Sequence, residues 1–302
     1  MFSEDSAHAW VRLVARAERR LLYRNQWFIH VDRSGHDPLN RAMDGGFDLV
    51  PPPDRFWADP FIWIGPDRLY VFVEELEFAS NKGRISVVEC DTEGRIVSCR
   101  TVLETPWHLS YPFLFEWDGS LWMLPESGAS GRITLYRCER FPDRWVEAKV
   151  LMDGLRSADP TLIEHGGRWW LFVNIAVGDQ SIHDNLHLFS AASPIGPFTP
   201  HPKNPVSRGP TGTRPAGPLF AWNGSLYRPA QDCARVYGKR TVINRVAVLT
   251  ADDFVETHVS SLEPGWSPGI LKTHTLCIKG EWRVVDAMRH LQRFGGRYEI
   301  QK

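Results

Sequence analysis

The feature that most constrains the fold of this chain is a dipeptide ending in proline that recurs about every 50 residues. The five copies are Asp59-Pro60, Tyr111-Pro112, Asp159-Pro160, Arg214-Pro215 and Ser267-Pro268. Near-even spacing of this length is typical of repeat architectures in which each repeat forms one small sheet. The chain is therefore predicted to contain five similar units.

Each copy opens an apolar stretch that a turn separates from a second apolar stretch, as in Phe61-Ile62-Trp63-Ile64 followed by Pro66-Asp67. The later turns are Asp118-Gly119, Gly166-Gly167, Asn223-Gly224 and Lys279-Gly280. Asp-Gly and Asn-Gly between apolar runs are strong hairpin signals. Third strands are predicted over residues 84–89, 132–138, 186–190 and 245–250. Repeats of about four short strands predict an all-β fold, a five-bladed β-propeller.

The start of the chain completes this prediction. The fifth unit is too short for four strands, so Trp27–Val31 is expected to close the ring and remove its exposed edges. His8–Arg24 shows apolar residues at helical spacing, with arginines at other positions. We predict a short helix packed on the outside, with peripheral membrane or partner contact through residues 8–24 as the alternative. Residues 1–25 would form this extension and residues 26–302 the propeller.

Composition narrows the range of partners and locations. The 35 basic and 36 acidic residues nearly cancel, which argues against nucleic acid, because phosphate binding needs clustered positive charge. The 5 cysteines show no CxxC spacing, so neither a zinc ribbon nor a disulfide framework is expected. The chain opens without a signal-peptide pattern and contains no long apolar run. These features favour a cytoplasmic location.

Polar residues recur in register with the repeat. The first strands start at Asp59, Tyr111, Asp159, Arg214 and Ser267, and the second strands end at Glu74, Glu126, Asn174, Gln231 and Asp286. Because the two strands of a hairpin are antiparallel, these positions are adjacent. We predict that they meet in a pocket on the propeller axis, the alternative being plain solvation of strand ends. Acids crowded in a cleft have perturbed pKa values, which suits them to proton transfer.

Such a pocket has the groups that glycosidic bond cleavage requires. One carboxylic acid protonates the leaving oxygen, and a second carboxylate acts as nucleophile or activates water. Asp59, Glu74, Glu126 and Asp159 are the candidates, and Trp57, Tyr111 and Trp107 are candidate walls for a sugar. His108 and His274 lack the spacing of metal ligands and are expected to form hydrogen bonds. No metal or cofactor is expected.

Several motifs resemble known carbohydrate-active propellers. Trp57-Ala58-Asp59-Pro60-Phe61, Ser157-Ala158-Asp159-Pro160-Thr161 and the stretch 188–198 resemble blade segments of glycoside hydrolase families 43, 32 and 68. The chain is more similar still to the family of N-terminal domains of plant glucosamine inositolphosphorylceramide transferases and their stand-alone bacterial relatives. The residues that carry this likeness are 108–113, Pro125-Glu126-Ser127, 228–233 and Tyr237-Gly238.

The resemblance implies roles for three acids. Asp59 would be the base or nucleophile, and Asp159 would orient the substrate and tune the acid. The fourth unit, where those hydrolases place their acid glutamate, instead offers Arg214, Arg228, Gln231 and Asp232. We therefore predict Glu126 as proton donor, with Glu74 or a different chemistry as alternatives. Predicted substrate contacts are Trp57, Glu74, His108, Tyr111, Asn174, Arg214, Arg228, Gln231, Asp232, His274 and Asp286.

Three functions remain open at this point. The first is a glycoside hydrolase or transglycosidase that acts on a glycan or glycolipid, in glycan assembly rather than digestion. The second is a transferase using an activated donor, since Arg214 and Arg228 would suit its phosphates. The third is a non-catalytic glycan-binding propeller.

Overall fold

The computed structural model describes residues 22–43 and 45–293. Within these residues it contains 22 β-strands and one short 3₁₀ helix, Gly128–Ser130. The strands form five antiparallel sheets arranged around one axis. The prediction of an all-β, five-bladed propeller is confirmed. No helix among the described residues has the length and hydropathy that a bilayer crossing requires.

The first four blades follow one another along the chain. Blade I contains β3 (Arg55–Ile64), β4 (Leu69–Glu77), β5 (Lys82–Cys90) and β6 (Ile96–Leu103), and blade II contains β7 (Ser110–Trp117), β8 (Ser120–Glu126), β9 (Arg132–Arg140) and β10 (Arg144–Asp153). Blade III contains β11 (Ser157–His165), β12 (Arg168–Ile175), β13 (Asn185–Ala191), β14 (Thr199–Pro200) and β15 (Ser207–Arg208). Blade IV contains β16 (Thr211–Pro215), β17 (Phe220–Trp222), β18 (Ser225–Asp232), β19 (Arg240–Leu249) and β20 (Phe254–Leu262).

Blade V joins the two ends of the chain. It consists of β21 (Leu276–Lys279), β22 (Trp282–Gln292), β1 (Tyr23–Asp32) and β2 (Phe47–Leu49). β1 pairs with β22 along its whole length, from Tyr23 opposite Gln292 to Asp32 opposite Arg283. The prediction that Trp27–Val31 closes the ring is confirmed, and the closure leaves the central strands without a free edge.

The structure differs from three expectations about blade V. Most of the predicted helix, residues 8–21, lies outside the described residues, but Tyr23 and Arg24 belong to β1, so the predicted helix end at Arg24 is wrong. The proposed domain boundary at residue 25 also falls inside this strand. Backbone pairing with β22 outweighs the local helical spacing of the side chains here. Ser267 is exposed in the loop before β21, so it does not start blade V, and Thr275 takes that position.

A shared backbone irregularity directs side chains towards the axis. Asp59, Tyr111 and Asp159 have φ values of 51°, 47° and 52°, and each lies at a register shift between the first two strands of its blade. Positive φ is unfavourable for residues with a side chain, by about 1–3 kcal/mol each. Bulges of this kind re-aim side chains and are frequent beside active sites. Three equivalent strained positions therefore mark one end of the ring.

Candidate active site

A cavity of about 280 Å³ opens at this end of the axis. This volume lies near the lower limit of small-molecule sites, roughly 300–1,000 Å³, and suits a single sugar unit. Six of the predicted site residues line it: Asp59, Glu74, His108, Glu126, Arg214 and His274. They come from blades I, II, IV and V and from the segment before β7, so the pocket exists only when the ring is closed.

Asp59 is almost completely buried at the base of this pocket. Its Oδ1 accepts a hydrogen bond from the Thr275 hydroxyl at 2.8 Å, and its Oδ2 accepts one from the Tyr111 backbone N–H at 3.3 Å. Burial raises the pKa of Asp59 to about 7, although the neighbouring His274 opposes the shift. The carboxyl group is therefore poised to take or release a proton near neutral pH.

His274 lies between two carboxylates. Its Nε2 is 3.4 Å from Asp59 Oδ1, and its Nδ1 is 2.7 Å from Asp286 Oδ2. The 2.7 Å contact pairs the His274 ring with the Asp286 carboxylate. Although burial disfavours the charged ring, Asp286 and Asp59 outweigh it and raise the pKa of His274 to about 9. His274 is thus an imidazolium at neutral pH.

These three residues have the composition of a metal site but are better described as an ion cluster. Asp59, His274 and Asp286 offer ligand atoms within 4.8 Å of one another. However, the two Asp286 oxygens already accept backbone N–H groups of Asp59, His274 and Thr275 at 2.7–3.2 Å. The imidazolium provides the positive charge that these carboxylates require.

A second cluster joins blades II, III and IV. Arg214 donates to Asp159 through Nε at 2.5 Å and Nη2 at 3.1 Å, and to Glu126 Oε2 through Nη2 at 3.0 Å. The Asp159 backbone N–H also donates to Glu126 Oε2 at 3.2 Å. Gln231 donates to Asp159 Oδ2 at 2.9 Å. Charged partners of this kind hold both carboxyl groups in fixed orientations.

The two carboxyl groups of this cluster titrate in opposite directions. Burial and then the Asp159 charge raise the pKa of Glu126 well above its usual value. Burial also disfavours ionised Asp159, but Arg214 and the hydrogen bond with Glu126 outweigh it and lower the Asp159 pKa. Because Glu126 Oε2 already accepts from two donors, Oε1 is the oxygen available to carry a proton. A protonated acid and an ionised neighbour are the arrangement that general acid catalysis uses.

His108 and Glu74 form a third pair on the pocket wall. The Gly83 backbone N–H donates to His108 Nδ1 at 3.0 Å, which leaves the proton on Nε2. Nε2 lies 3.0 Å from Glu74 Oε1. Hydrogen bonding to Glu74 raises the pKa of His108 even though burial opposes it. Both ring nitrogens of His108 are therefore engaged, and the pair offers the second carboxylate oxygen of Glu74 as an acceptor to a ligand hydroxyl.

Some predicted residues support the pocket without lining it. The Tyr111 hydroxyl contacts Thr161 Oγ1 at 2.8 Å and accepts from the Gly217 N–H at 2.7 Å, so it ties blade II to blades III and IV. Asp159, Gln231 and Asp286 act through the contacts described above. These residues are positioned by the repeat as predicted, but they contact neighbouring side chains and backbone groups instead of lining the cavity.

The structure does not bring the remaining predicted residues to the pocket. Arg228 is completely buried, and its guanidinium is paired with Glu256 and with backbone carbonyls of blade IV. Asp232 instead accepts hydrogen bonds from Thr211 of β16 and Arg240 of β19. Trp57 donates a hydrogen bond to Glu75 inside blade I. Trp107 packs against the core between blades I and II. Asn174 donates to the Ile182 carbonyl. The bulge after Ala58 interrupts strand alternation, which separates Trp57 from Asp59.

Three aromatic walls were not predicted for the pocket. Trp27 lies 4.3 Å from the His274 ring between centroids, Phe56 lines the same side, and Tyr237 covers the Arg214 guanidinium at 5.0 Å. Gly238 allows this loop to lie close to His274, because a Cβ there would be 3.1 Å from His274. Tyr237-Gly238 belongs to the motifs that carry the family resemblance. This resemblance is the sequence signal that could have identified Tyr237 as a pocket residue. Trp27 was predicted only as part of the closing strand.

The ion cluster predicts a pH dependence of stability. His274 has a raised pKa of about 9 in the folded protein against about 6.5 unfolded. Its contribution, about 3 kcal/mol, is therefore complete below about pH 6.5 and is lost as the pH rises through about 9. The free energy of unfolding, measured with urea across this range, should fall in the wild type. His274→Gln should remove that part of the slope, whereas His36→Gln at an exposed position should keep it.

Fold and site together define a class. The chain is a five-bladed propeller with a glycosidase-like fold, and it has an acid-rich pocket on its axis. Residues 47–264 match the family described as "Glucosamine inositolphosphorylceramide transferase 1, N-terminal". The chain belongs to this family, as the motifs predicted.

Relatives and solved structures agree with this assignment. The chain is 34% identical over 222 residues to glucosamine inositolphosphorylceramide transferase 1 of Oryza sativa subsp. japonica, covering 72% of the chain and 29% of the relative. It is 35% identical over 211 residues to the Arabidopsis thaliana protein, covering 68% and 28%. The chain thus spans under a third of the length of these relatives. Zg3597, a family 117 glycoside hydrolase from Zobellia galactanivorans, shares the fold with a TM-score of 0.54 at 13% identity, covering 92% of this chain and 96% of its own.

Proposed function

We propose that this protein cleaves or transfers a glycosidic bond in the axial pocket, on a glycan or on the headgroup of a glycolipid. The observation that carries the proposal is that three carboxyl groups, those of Glu126, Asp159 and Asp59, lie buried or partly buried around one small cavity in environments that shift their pKa values differently. Glu126 holds its proton, Asp159 is ionised, and Asp59 titrates near neutrality. Pairs of acids pushed apart in pKa are the signature of an assigned acid and base.

In this mechanism Glu126 is the proton donor. Its Oε1 delivers the proton to the glycosidic oxygen as the bond to the anomeric carbon breaks. Arg214 and the Asp159 N–H fix Oε2, so the geometry of the acid does not depend on the ligand. The Asp159 charge keeps the proton on Glu126 until the leaving oxygen accepts it.

Asp59 is the second carboxyl group. As a carboxylate it either attacks the anomeric carbon or takes a proton from the attacking water or acceptor hydroxyl. The Thr275 hydroxyl and the Tyr111 N–H hold the carboxylate, and the His274 imidazolium stabilises its charge. Transfer to an acceptor hydroxyl uses the same two residues as hydrolysis.

The pocket gives no support to a donor that carries a diphosphate. Arg214 is already paired with two carboxyl groups, and Arg228 is buried against Glu256. The acids Asp59 and Glu74 also line the cavity, and they would repel phosphate oxygens. The relatives named as transferases are much longer than this chain, so their activity need not depend on this pocket.

The pH profile provides a first quantitative test. Asp59 must be ionised to act, and its pKa is raised to about 7, so kcat/KM should fall about tenfold per unit as the pH drops below about 7. Loss of the Glu126 proton should produce a second decline on the alkaline side. A profile that is flat across neutral pH would contradict this pair of roles.

The substrate can be found with a glycan panel. The panel should contain neutral oligosaccharides together with headgroups in which glucosamine is attached to inositol, as the names of the relatives suggest. Released or transferred sugar is measured, and Glu126→Gln is used in parallel to capture binding without turnover. Binding by both proteins without any product from the wild type would instead favour a glycan-binding propeller.

A further inference from the structure

Arg214 has a third side-chain partner besides Asp159 and Glu126. Its Nε and Nη2 bond to these two carboxyl groups, and its Nη1 donates to His183 Nδ1 at 3.1 Å. A guanidinium can only donate, so Nδ1 of His183 is an unprotonated acceptor and the ring carries its proton on Nε2. All three nitrogens of Arg214 are therefore held by side chains from blades II and III.

The backbone around His183 is itself held in place. His183 lies in the loop between β12 and β13. The Asn174 side chain of β12 donates to the Ile182 carbonyl at 3.0 Å, and the Thr213 hydroxyl of β16 donates to the His183 carbonyl. Asn174, which the register of the repeat predicted for the pocket, thus fixes the loop that carries His183.

The ring of His183 packs against the pocket wall. It lies 5.3 Å from the Tyr237 ring between centroids, and Tyr237 in turn covers the Arg214 guanidinium. Burial and the Arg214 charge lower the pKa of His183. The carboxylates of Asp159 and Asp184 oppose this shift but do not outweigh it. The neutral ring that the hydrogen bond requires is therefore the form present at neutral pH.

We propose that His183 is a positioning residue of the axial pocket, which holds Arg214 in the orientation that fixes Glu126. Without an acceptor for Nη1, the buried guanidinium has to turn to satisfy that N–H elsewhere, which weakens its contact with Glu126 Oε2. Because the Arg214 charge favours ionised Glu126, a weaker contact makes Glu126 a weaker acid. The role of His183 in turnover rests on the proposed function, whereas the acidity of Glu126 is measured without any sugar.

The test compares His183→Leu, which removes the acceptor, with His183→Asn, whose side-chain oxygen takes the place of Nδ1. Titration of the Glu126 carboxyl group by ¹³C NMR gives its acid dissociation constant, and loss of the signal in Glu126→Gln assigns it. His183→Leu should lower this constant about three- to tenfold, a fraction of what an adjacent opposite charge contributes, and His183→Asn should restore it. The matched control is His187→Leu, because His187 is also half-buried in blade III but contacts the Asn185 carbonyl instead of Arg214.

Two further measurements separate positioning from a purely structural role. The ¹⁵N chemical shifts of His183 in the wild type should show Nδ1 unprotonated at neutral pH. On a substrate from the glycan panel, His183→Leu should lower kcat about tenfold, within the roughly 10²-fold that misplacement of a catalytic group can cost. KM should change much less, because His183 is not among the residues that line the cavity.

Three results would overturn the proposal: a protonated Nδ1 in the wild type, an unchanged Glu126 titration in a folded His183→Leu protein, or the same shift in His183→Leu as in His187→Leu or His183→Asn. Melting temperatures of the variants show which of them fold. If His183→Leu does not fold, the ¹⁵N shifts of the wild type and a wild-type titration in His183→Asn are the results required. Failure of turnover on the glycan panel would leave the Glu126 titration unaffected, so the two proposals fail separately.

Discussion

Replacing Glu126 with glutamine is expected to lower kcat/KM by at least two orders of magnitude on a natural glycoside. The amide oxygen of glutamine takes the place of Oε2 and keeps its contacts with Arg214 and the Asp159 N–H. However, the amide has no acidic proton to give to the leaving oxygen. General acid catalysis contributes roughly 10²–10⁴-fold. Asp59→Asn should cost as much or more, because it removes the second carboxylate.

Two comparisons make this result specific. Glu126→Gln should lose much less rate on an activated aryl glycoside, whose leaving group needs no protonation, whereas Asp59→Asn should be inactive on both substrates. Glu116→Gln and Asp67→Asn are the matched controls, since both lie exposed at the other end of the same blades. If both pocket variants turn over a verified substrate at the wild-type rate, the propeller is not a glycosidase and the binding interpretation takes precedence.

Deletion of residues 1–35 is expected to abolish cooperative folding. It removes β1, which is paired along its whole length with β22 and is buried from Gln26 to Asp32. Loss of the buried apolar side chains Trp27, Phe28, Ile29 and Val31 costs roughly 6–12 kcal/mol. This is comparable to the total stability of a domain, about 5–15 kcal/mol. The open ring also exposes an edge of β22 to aggregation and leaves β2 without its partner strand.

Thermal unfolding followed by circular dichroism measures this effect. The matched control is deletion of residues 1–21, which leaves every described contact of β1 in place and should retain a cooperative transition. An unchanged melting temperature after deletion of residues 1–35 would show that the ring does not need its closing strand, and blade V would then have to be stable with two strands.

Much of the blade architecture could be predicted because its determinants are local. Turn dipeptides such as Asp118-Gly119 and alternating strands place hairpins within a few residues of one another, and their spacing counts the blades. The register of the repeat also identified Asp59, Glu126 and Asp159, since hairpin geometry alone places the ends of paired strands together. Even the closing role of β1 followed from the missing strand of the fifth unit.

Arg214 and Arg228 show where sequence reasoning reached its limit. Both are arginines of the fourth unit, and both were predicted to contact substrate. Arg214 reaches Asp159 and Glu126 on neighbouring blades, whereas Arg228 is fully buried against Glu256 of its own blade. The partner of a charged side chain lies far away in sequence, so the spacing of the repeat does not identify it.

By itself, then, the sequence determined the fold class, the number of blades and the acids that reach the axis, because hairpins and their register are short-range properties. Only the tertiary structure decided what surrounds those acids. Trp27 of β1 and Tyr237 of blade IV come together to form the walls, and Thr275 rather than Ser267 occupies the fifth position. Burial and charge pairing, which set the protonation of Glu126 and Asp59, depend on these long-range contacts and arise only when the ring closes.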